Sequence, residues 1–390
     1  MRTVLVFVHY YLPGYRSGGP VRTLANIVER LGEDIRFRVV TADCDAYESR
    51  SYSGVRVDDW NHVGNAEVFY ASASARKSLA LVRLVASTRH DLLYLNSFFD
   101  PAFTVVPLLA RRMGWFPECP VVLAPRGELA RSALGLKAWK KRSYVKLALG
   151  LGLLRDITWH ASSEHEARDI RRTLGSVADR IVVAPDLPAL AKAHPPPRRN
   201  KQGVPLRIVF LSRISPIKNL DFALRVLTQV SVPVELDIYG MVGDSAYWRR
   251  CQALIATLPT TVSVAYRGAV DHCLVTQTLG EYDLFFLPTL GENYGHAIYE
   301  ALAAGVPVLI SNQTPWKDLE ECGVGYVRRV EEPRTFVRAI ETHAQLTPLE
   351  AEAMAARVFE YAQLVGADPS IVERTRTLLV QSPCGRKPHL

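Results

Sequence analysis

The chain has 390 residues and six cysteines, Cys44, Cys119, Cys251, Cys273, Cys322 and Cys384, and no two of them form a C-x-x-C pair. That scatter argues against a zinc site and a disulfide framework, and fits a reducing compartment. No window reaches the ~18 consecutive apolar residues of a membrane-spanning helix. The opening stretch MRTVLVFVHYYLPG has too short an apolar core for a secretion leader. It also lacks a small-residue cleavage site, and Pro13-Gly14 follows at once, so it reads as a buried first strand. The expected location is cytoplasmic. A G-x-G-x-x-G fingerprint and a P-loop lysine are missing as well. The glycine loop after the first strand is therefore a weak phosphate signal when taken alone.

What is present is an ordinary soluble composition, 48% hydrophobic and 22% charged, with a net charge of +8. The length predicts two domains. Residues 3–9 form an almost continuous apolar run, as in a central parallel strand covered on both faces. Gly14, Gly18 and Gly19 make a glycine-rich loop before a helical pattern over 21–31 that Pro20 can open. Further strand patterns at 37–41, 92–96, 121–124 and 157–160, with helical ones at 78–88 and 101–113, predict a doubly wound domain. Its strand-end polar residues are Asn96 and Ser97, then Arg126, Gly127 and Glu128, then Ser162, Ser163 and Glu164. Ser163 followed by Glu166 has capping-box spacing. An arginine beside a glycine at a strand end shows no structural need in the sequence, which makes Arg126 a candidate for chemistry.

Residues 129–155 carry seven cations and no acidic residue, with Leu134, Trp139, Tyr144, Leu147 and Leu149 interleaved. The region 131–155 reads as a surface for anionic lipid, set against a helix that merely packs on its own domain. Nucleic acid is not expected, because the paired basic and aromatic arrangement recurs nowhere else. The stretch 194–203, HPPPRRNKQG, is a linker by composition. It separates a first domain, 1–193, from a second, 204–360. A helical tail, 361–390, is a candidate to cross back to the first.

The second domain repeats the βα pattern, and its residues 287–312 read as strand, loop, helix, strand. Glu292 lies on the loop and Glu300 in the helix, with seven residues between them. The helix start offers free backbone N–H groups to an anion, while carboxylates accept from sugar hydroxyls. Arg213 and Lys218, five apart, straddle another helix start just past a strand. Their planar fork and point charge suit a diphosphate.

With these motifs the chain resembles the retaining glycosyltransferases of family 4, over nearly its whole length. Glu292 and Glu300 within GENYGHAIYEALAAGVPVLIS match that family's E-x7-E motif. FLSRISPIKNL matches its phosphate-binding arginine and lysine. APRGELARSALGLKAWKK and HASSEHEARDI are similar to segments of bacterial exopolysaccharide and O-antigen enzymes. The resemblance implies an α/β GT-B fold, two doubly wound Rossmann-like domains facing each other across a cleft. The first would bind the acceptor and the second the nucleotide sugar. Glu300 would hold ribose hydroxyls, and Glu292 sugar hydroxyls, helped by backbone N–H groups of Asn293, Tyr294 and Gly295. Arg213 and Lys218 would hold the diphosphate; His296, after Gly295, either faces the phosphate too or is a first-turn histidine with no catalytic role. Gly18 and Gly19 would close onto that diphosphate and the acceptor, and Gly268 would lie in the base-binding loop. No metal or cofactor is implied.

Two departures stand out. Many members carry a catalytic histidine where this chain has Pro125-Arg126-Gly127-Glu128, so Arg126 takes that place, with an electrostatic role because arginine cannot act as a base. A P-N-G phrase is replaced by Pro185-Asp186-Leu187-Pro188. Asp43-Cys44-Asp45 has the D-x-D pattern but lies outside the donor domain, so it reads as a solvated strand end.

The expected activity is retaining transfer from a nucleoside diphosphate sugar to a hydroxyl of a glycan or lipid-linked acceptor, in surface polysaccharide assembly. The enzyme would then be peripheral on the inner face of the plasma membrane. Rivals are a sugar-nucleotide epimerase, a phosphorylase and a non-catalytic GT-B binding subunit. A glycosidase using Glu292 and Glu300 as its acid pair would leave the two cations without a purpose.

Overall fold

A computed structural model describes residues 1–77, 79–135, 138–189 and 205–382. The stretch 194–203, read as a linker, lies outside the described residues. The chain divides into two compact units, unit 1 from Met1–Leu187 with Pro369–Leu390, and unit 2 from Pro188–Asp368.

Unit 1 holds eight strands: β1 (Arg2–Phe7), β2 (Ile35–Ala42), β3 (Trp60–Val63), β4 (Ala66–Ala71), β5 (Leu92–Leu95), β6 (Val121–Leu123), β7 (Ile157–Ala161) and β8 (Arg180–Val183). They form one sheet in the order β3-β4-β2-β1-β5-β6-β7-β8, parallel except for β3 on β4. Side chains alternate across a strand. On β1, Val4 and Val6 therefore enter one apolar layer, and Leu5 and Phe7 the other, all fully buried. From β1 the chain winds outward through β2 to β4, then restarts on β1's other side at β5. The switch point is the crevice beyond the carboxyl ends of β1 and β5, where open α/β sheets bind ligands.

The helix Pro369–Gln381 belongs to unit 1. Leu378 and Leu379 are buried with Leu24 and Ile27 of the helix Gly19–Leu31. Arg376 pairs with Asp34 at 2.6 Å.

Unit 2 holds β9 (Leu206–Leu211), β10 (Val234–Tyr239), β11 (Val262–Gly268), β12 (Leu284–Leu287), β13 (Val308–Ser311) and β14 (Gly325–Arg328). All are parallel, in the order β11-β10-β9-β12-β13-β14. Its switch point lies between β9 and β12. One core surrounds this sheet, built from residues such as Ile208, Phe210, Phe285, Leu309 and Phe336.

Three local readings change. The helical pattern at 101–113 opens with a π-helical turn, Pro101–Val105, before the α-helix Val106–Arg112. Such single turns gather at functional sites. Ser163 caps its helix by accepting from Glu166 N, but the Glu166 carboxylate turns instead to Ser162 N, Ser162 Oγ and Gly127 N. The basic helix Ala138–Gly150 does not gather its apolar residues on one side. Val145 and Ala148 are buried, while Trp139 and Leu147 are exposed beside Lys140 and Lys146. Among the described residues, no helix is long and apolar enough to cross a membrane.

Candidate functional site

In unit 2 the loops after β9 and β12 are knitted together at the switch point. Asn219, held in the left-handed conformation, donates through Nδ2 to Pro288 O at 3.0 Å. Leu290 N and Thr289 Oγ1 both donate to Ile217 O. These bonds bring Lys218 to Glu292, and its ammonium donates to the Glu292 carboxylate. Both side chains are mostly buried, at 17% and 13% exposure. Glu292 N is already used by Gln313 O. Among the described residues, the backbone N–H groups of Asn293 and Gly295 find no partner.

Arg213 stands on the same β9 loop, exposed and without a charge partner among the described residues. Its backbone is fixed by close packing of the neighbouring loop. Ile214 N donates to Met241 O, and Gly243 N to Ile214 O. A Cβ on Gly243 would stand 3.0 Å from Arg213 Cγ and Cδ, and one on Gly240 only 1.9 Å from Ser212 O. Only glycine allows this approach.

Gly295 caps the helix His296–Ala303 in the left-handed region at φ 84°. Tyr294 is buried against Trp316, whose Nε1 donates to Tyr294 O at 2.6 Å. Glu300 is half-buried, one turn beyond His296. Gly268 is at the end of β11, separated from β12 by two strands, with φ 77°, and its carbonyl accepts from Gly240 N.

In unit 1, Gly18 and Gly19 are exposed at the start of the helix Gly19–Leu31, Gly18 with φ 78° and open space where a Cβ would stand. The loop before them is fastened by Asp45, whose Oδ2 accepts from Tyr15 N and Arg16 N. Asp43 accepts from Ser51 Oγ at 2.6 Å. The D-x-D triplet is thus not a solvated strand end. Its carboxylates are buried at 8% and 4% exposure because they anchor the glycine loop and its neighbour.

Arg126 also has the structural need that its sequence context hid. Its guanidinium donates to Asp186 Oδ1 at 2.7 Å, to Asn96 Oδ1 and to Tyr94 Oη. Arg126 and Asp186 are 6% and 9% exposed, and the arginine backbone is left-handed at φ 53°. The two departures from the family pattern are therefore each other's partner.

The network fixes a tautomer beyond it. Tyr94 accepts from Arg126, so its hydroxyl hydrogen goes to His160 Nδ1 at 2.7 Å, and His160 Nε2–H donates to Ala184 O at 2.8 Å. Burial, with the Arg126 charge nearby, lowers the His160 pKa to about 4. An unfolded histidine takes up its proton near 6.5. Between those values only the unfolded chain binds the proton, so stability falls as pH drops through this window and returns as it rises. The expected contribution is about 3 kcal/mol. Denaturation of wild type and His160→Gln across the window should show a shallower pH slope in the variant. Equal slopes would remove this account.

A cavity of about 380 Å³ opens at unit 1's switch point, lined by His9, Ser97, Asp100, Arg126 and Glu128 among others. Sequence reasoning passed over His9 and Asp100. His9 directly follows the first apolar run, and Asp100 precedes Pro101 as a helix cap would. Their pairing across 91 positions left no local trace.

Comparison with known proteins follows the two units. The family model described as "Glycosyl transferases group 1" matches residues 196–359, and "Glycosyl transferase 4-like domain" matches 18–186. A protein of Klebsiella pneumoniae described as an uncharacterized 41.2 kDa protein in the cps region is 22% identical over 271 residues, covering 68% of this chain and 72% of that one. Among solved structures, sucrose-phosphate synthase of Thermosynechococcus elongatus superposes with a TM-score of 0.73 at 15% identity, covering 98% and 99% of the two chains. Anabaena HepE, solved in complex with UDP and glucose, gives 0.70 at 17% identity, covering 98% and 100%.

Proposed function

Since the chain belongs to the family 4 type of glycosyltransferase and has the GT-B fold, we propose that it moves a sugar from a nucleoside diphosphate sugar to a hydroxyl of a glycan acceptor, with retention at the anomeric carbon. The observation that carries this reading is the unit 2 switch point, where the β9 loop carries Arg213, without a charge partner among the described residues, and Lys218, paired with Glu292 of the β12 loop. Arg213 and Lys218 would hold the diphosphate, Glu300 the ribose hydroxyls, and Glu292 and the Asn293–Gly295 amides the sugar. His296 would face the phosphate and Gly268 the base.

In the proposed step the acceptor oxygen bonds to the anomeric carbon on the face from which the phosphate leaves. The carbon–phosphate oxygen bond breaks, and the acceptor's proton passes to that departing oxygen. Two cations and a helix N-terminus answer the developing charge. No metal or cofactor has a part in this reading. The complex of HepE with UDP and glucose supports a nucleotide-sugar donor. The cps-region relative supports a place in surface polysaccharide assembly. Trp139 and Leu147, exposed beside Lys140 and Lys146, support work at an anionic membrane on a lipid-linked acceptor.

The test is turnover of labelled UDP, GDP, ADP and dTDP sugars, with glycan acceptors free or lipid-linked in anionic vesicles. One donor should give labelled acceptor of retained configuration, faster on vesicles at low salt. A donor altered without acceptor would mean an epimerase, and no turnover of any donor a binding subunit.

A further inference from the structure

The cavity at unit 1's switch point borders the glycine loop through Ser17 and Pro20, and its walls also carry an oriented imidazole. His9 leaves the end of β1, and Asp100 stands on the loop after β5. His9 Nδ1 lies 2.5 Å from Asp100 Oδ2. Asp100 is itself fixed, since its Oδ1 accepts from Ala102 N and Phe103 N at the start of the π-helical turn. A carboxylate only accepts, so Nδ1 carries a hydrogen, and in the neutral ring the lone pair is on Nε2. His9 is 40% exposed and Asp100 only 7%, and Nε2 has no partner among the described residues. The ring is held further by Tyr10 at 4.4 Å and Phe103 at 5.4 Å.

The rest of the lining restricts what can enter. Arg126 is the cavity's guanidinium, but Asp186, Asn96 and Tyr94 occupy it. Glu128 accepts from Ser97 Oγ, Phe98 N and Phe99 N. The cavity therefore shows an anion two carboxylates and no uncommitted cation. The Nε2 lone pair fits a group that donates a hydrogen bond, and a sugar hydroxyl does so without bringing charge.

We infer that this cavity binds a neutral, hydroxyl-bearing sugar of the acceptor, with His9 Nε2 accepting from one of its hydroxyls and Asp100 acting as the positioning residue that holds the lone pair there. The inference rests on the glycosyl-transfer reading for the word acceptor, but its test reads binding and needs no donor.

The test uses full-length protein with ¹⁵N-labelled histidine, the His9 signals being assigned by their loss in His9→Gln. The neutral ring should carry its proton on Nδ1. Titration with a panel of neutral methyl hexosides should move the Nε2 signal for at least one of them, and methyl glucuronide should not. Asp100→Asn keeps an oxygen for the helix cap but faces Nδ1 with an amide donor, which drives the proton to Nε2. That variant, with its fold checked by thermal unfolding, should show the exchanged tautomer and bind the hexoside at least about tenfold more weakly. Three results would each overturn the inference: no response to any neutral hexoside, equal response to the glucuronide, or unchanged affinity in an Asp100→Asn chain whose tautomer has switched. If instead the hexoside binds as described but no donor is turned over, the transfer reading fails and the site remains.

Discussion

Arg213→Ala and Lys218→Ala are each expected to lower turnover with the sugar donor by about 10²–10³-fold, the usual loss when one group stabilising developing charge is removed. Their effects on stability should differ. Arg213 is exposed and unpartnered among the described residues, so its loss should change unfolding by no more than about 0.5 kcal/mol. Lys218 neutralises a mostly buried Glu292, and truncating it should cost about 1–3 kcal/mol by leaving that carboxylate unpaired. The decisive variant is thus Arg213→Ala, which separates chemistry from folding. Turnover near wild type in both variants would sink the donor-site assignment.

Arg126→Ala is expected to damage the fold first. It removes one partner of a buried ion pair and leaves Asp186 charged with little water, a loss of about 3–5 kcal/mol. For a unit of this size that lowers the unfolding temperature by roughly 10 °C. The sequence suggested an electrostatic role in catalysis, and a double substitution decides between the two. Arg126→Met with Asp186→Asn removes both charges together, so most of the stability should return. If Arg126 serves the site by support alone, turnover of the double variant should recover to within about tenfold of wild type. A stable but inactive double variant would restore the catalytic role.

Much of the architecture was legible because buried parallel strands are written as short apolar runs. β9, β10 and β12 carry the bounds their runs suggest. Asn293 to Ala304 declared its loop and helix through Gly295 and Gly305. What stayed hidden was long-range. The short edge strands β3 and β8 are half-exposed and lack a continuous apolar signature. Asp45 looked like a surface acid because the amides it anchors lie thirty residues earlier. Arg126 looked idle because Asp186 is sixty residues on, and His9 was absorbed into the strand it ends. A sequence shows which groups a loop offers, whereas pairing across the sheet decides whether they are spent or available.

Unit 1 is made from both ends of the chain, with all of unit 2 between them. The helix Pro369–Gln381 leaves the ribosome after every strand of both sheets. Until then Leu24 and Ile27 lack the cover of Leu378 and Leu379, and Arg2 lacks the carbonyl of Val380. Unit 2 can complete its core before that helix is made, but unit 1 cannot. The half of the enzyme that is translated first is the half that matures last, which leaves its apolar layer as a ready client for chaperones while translation runs.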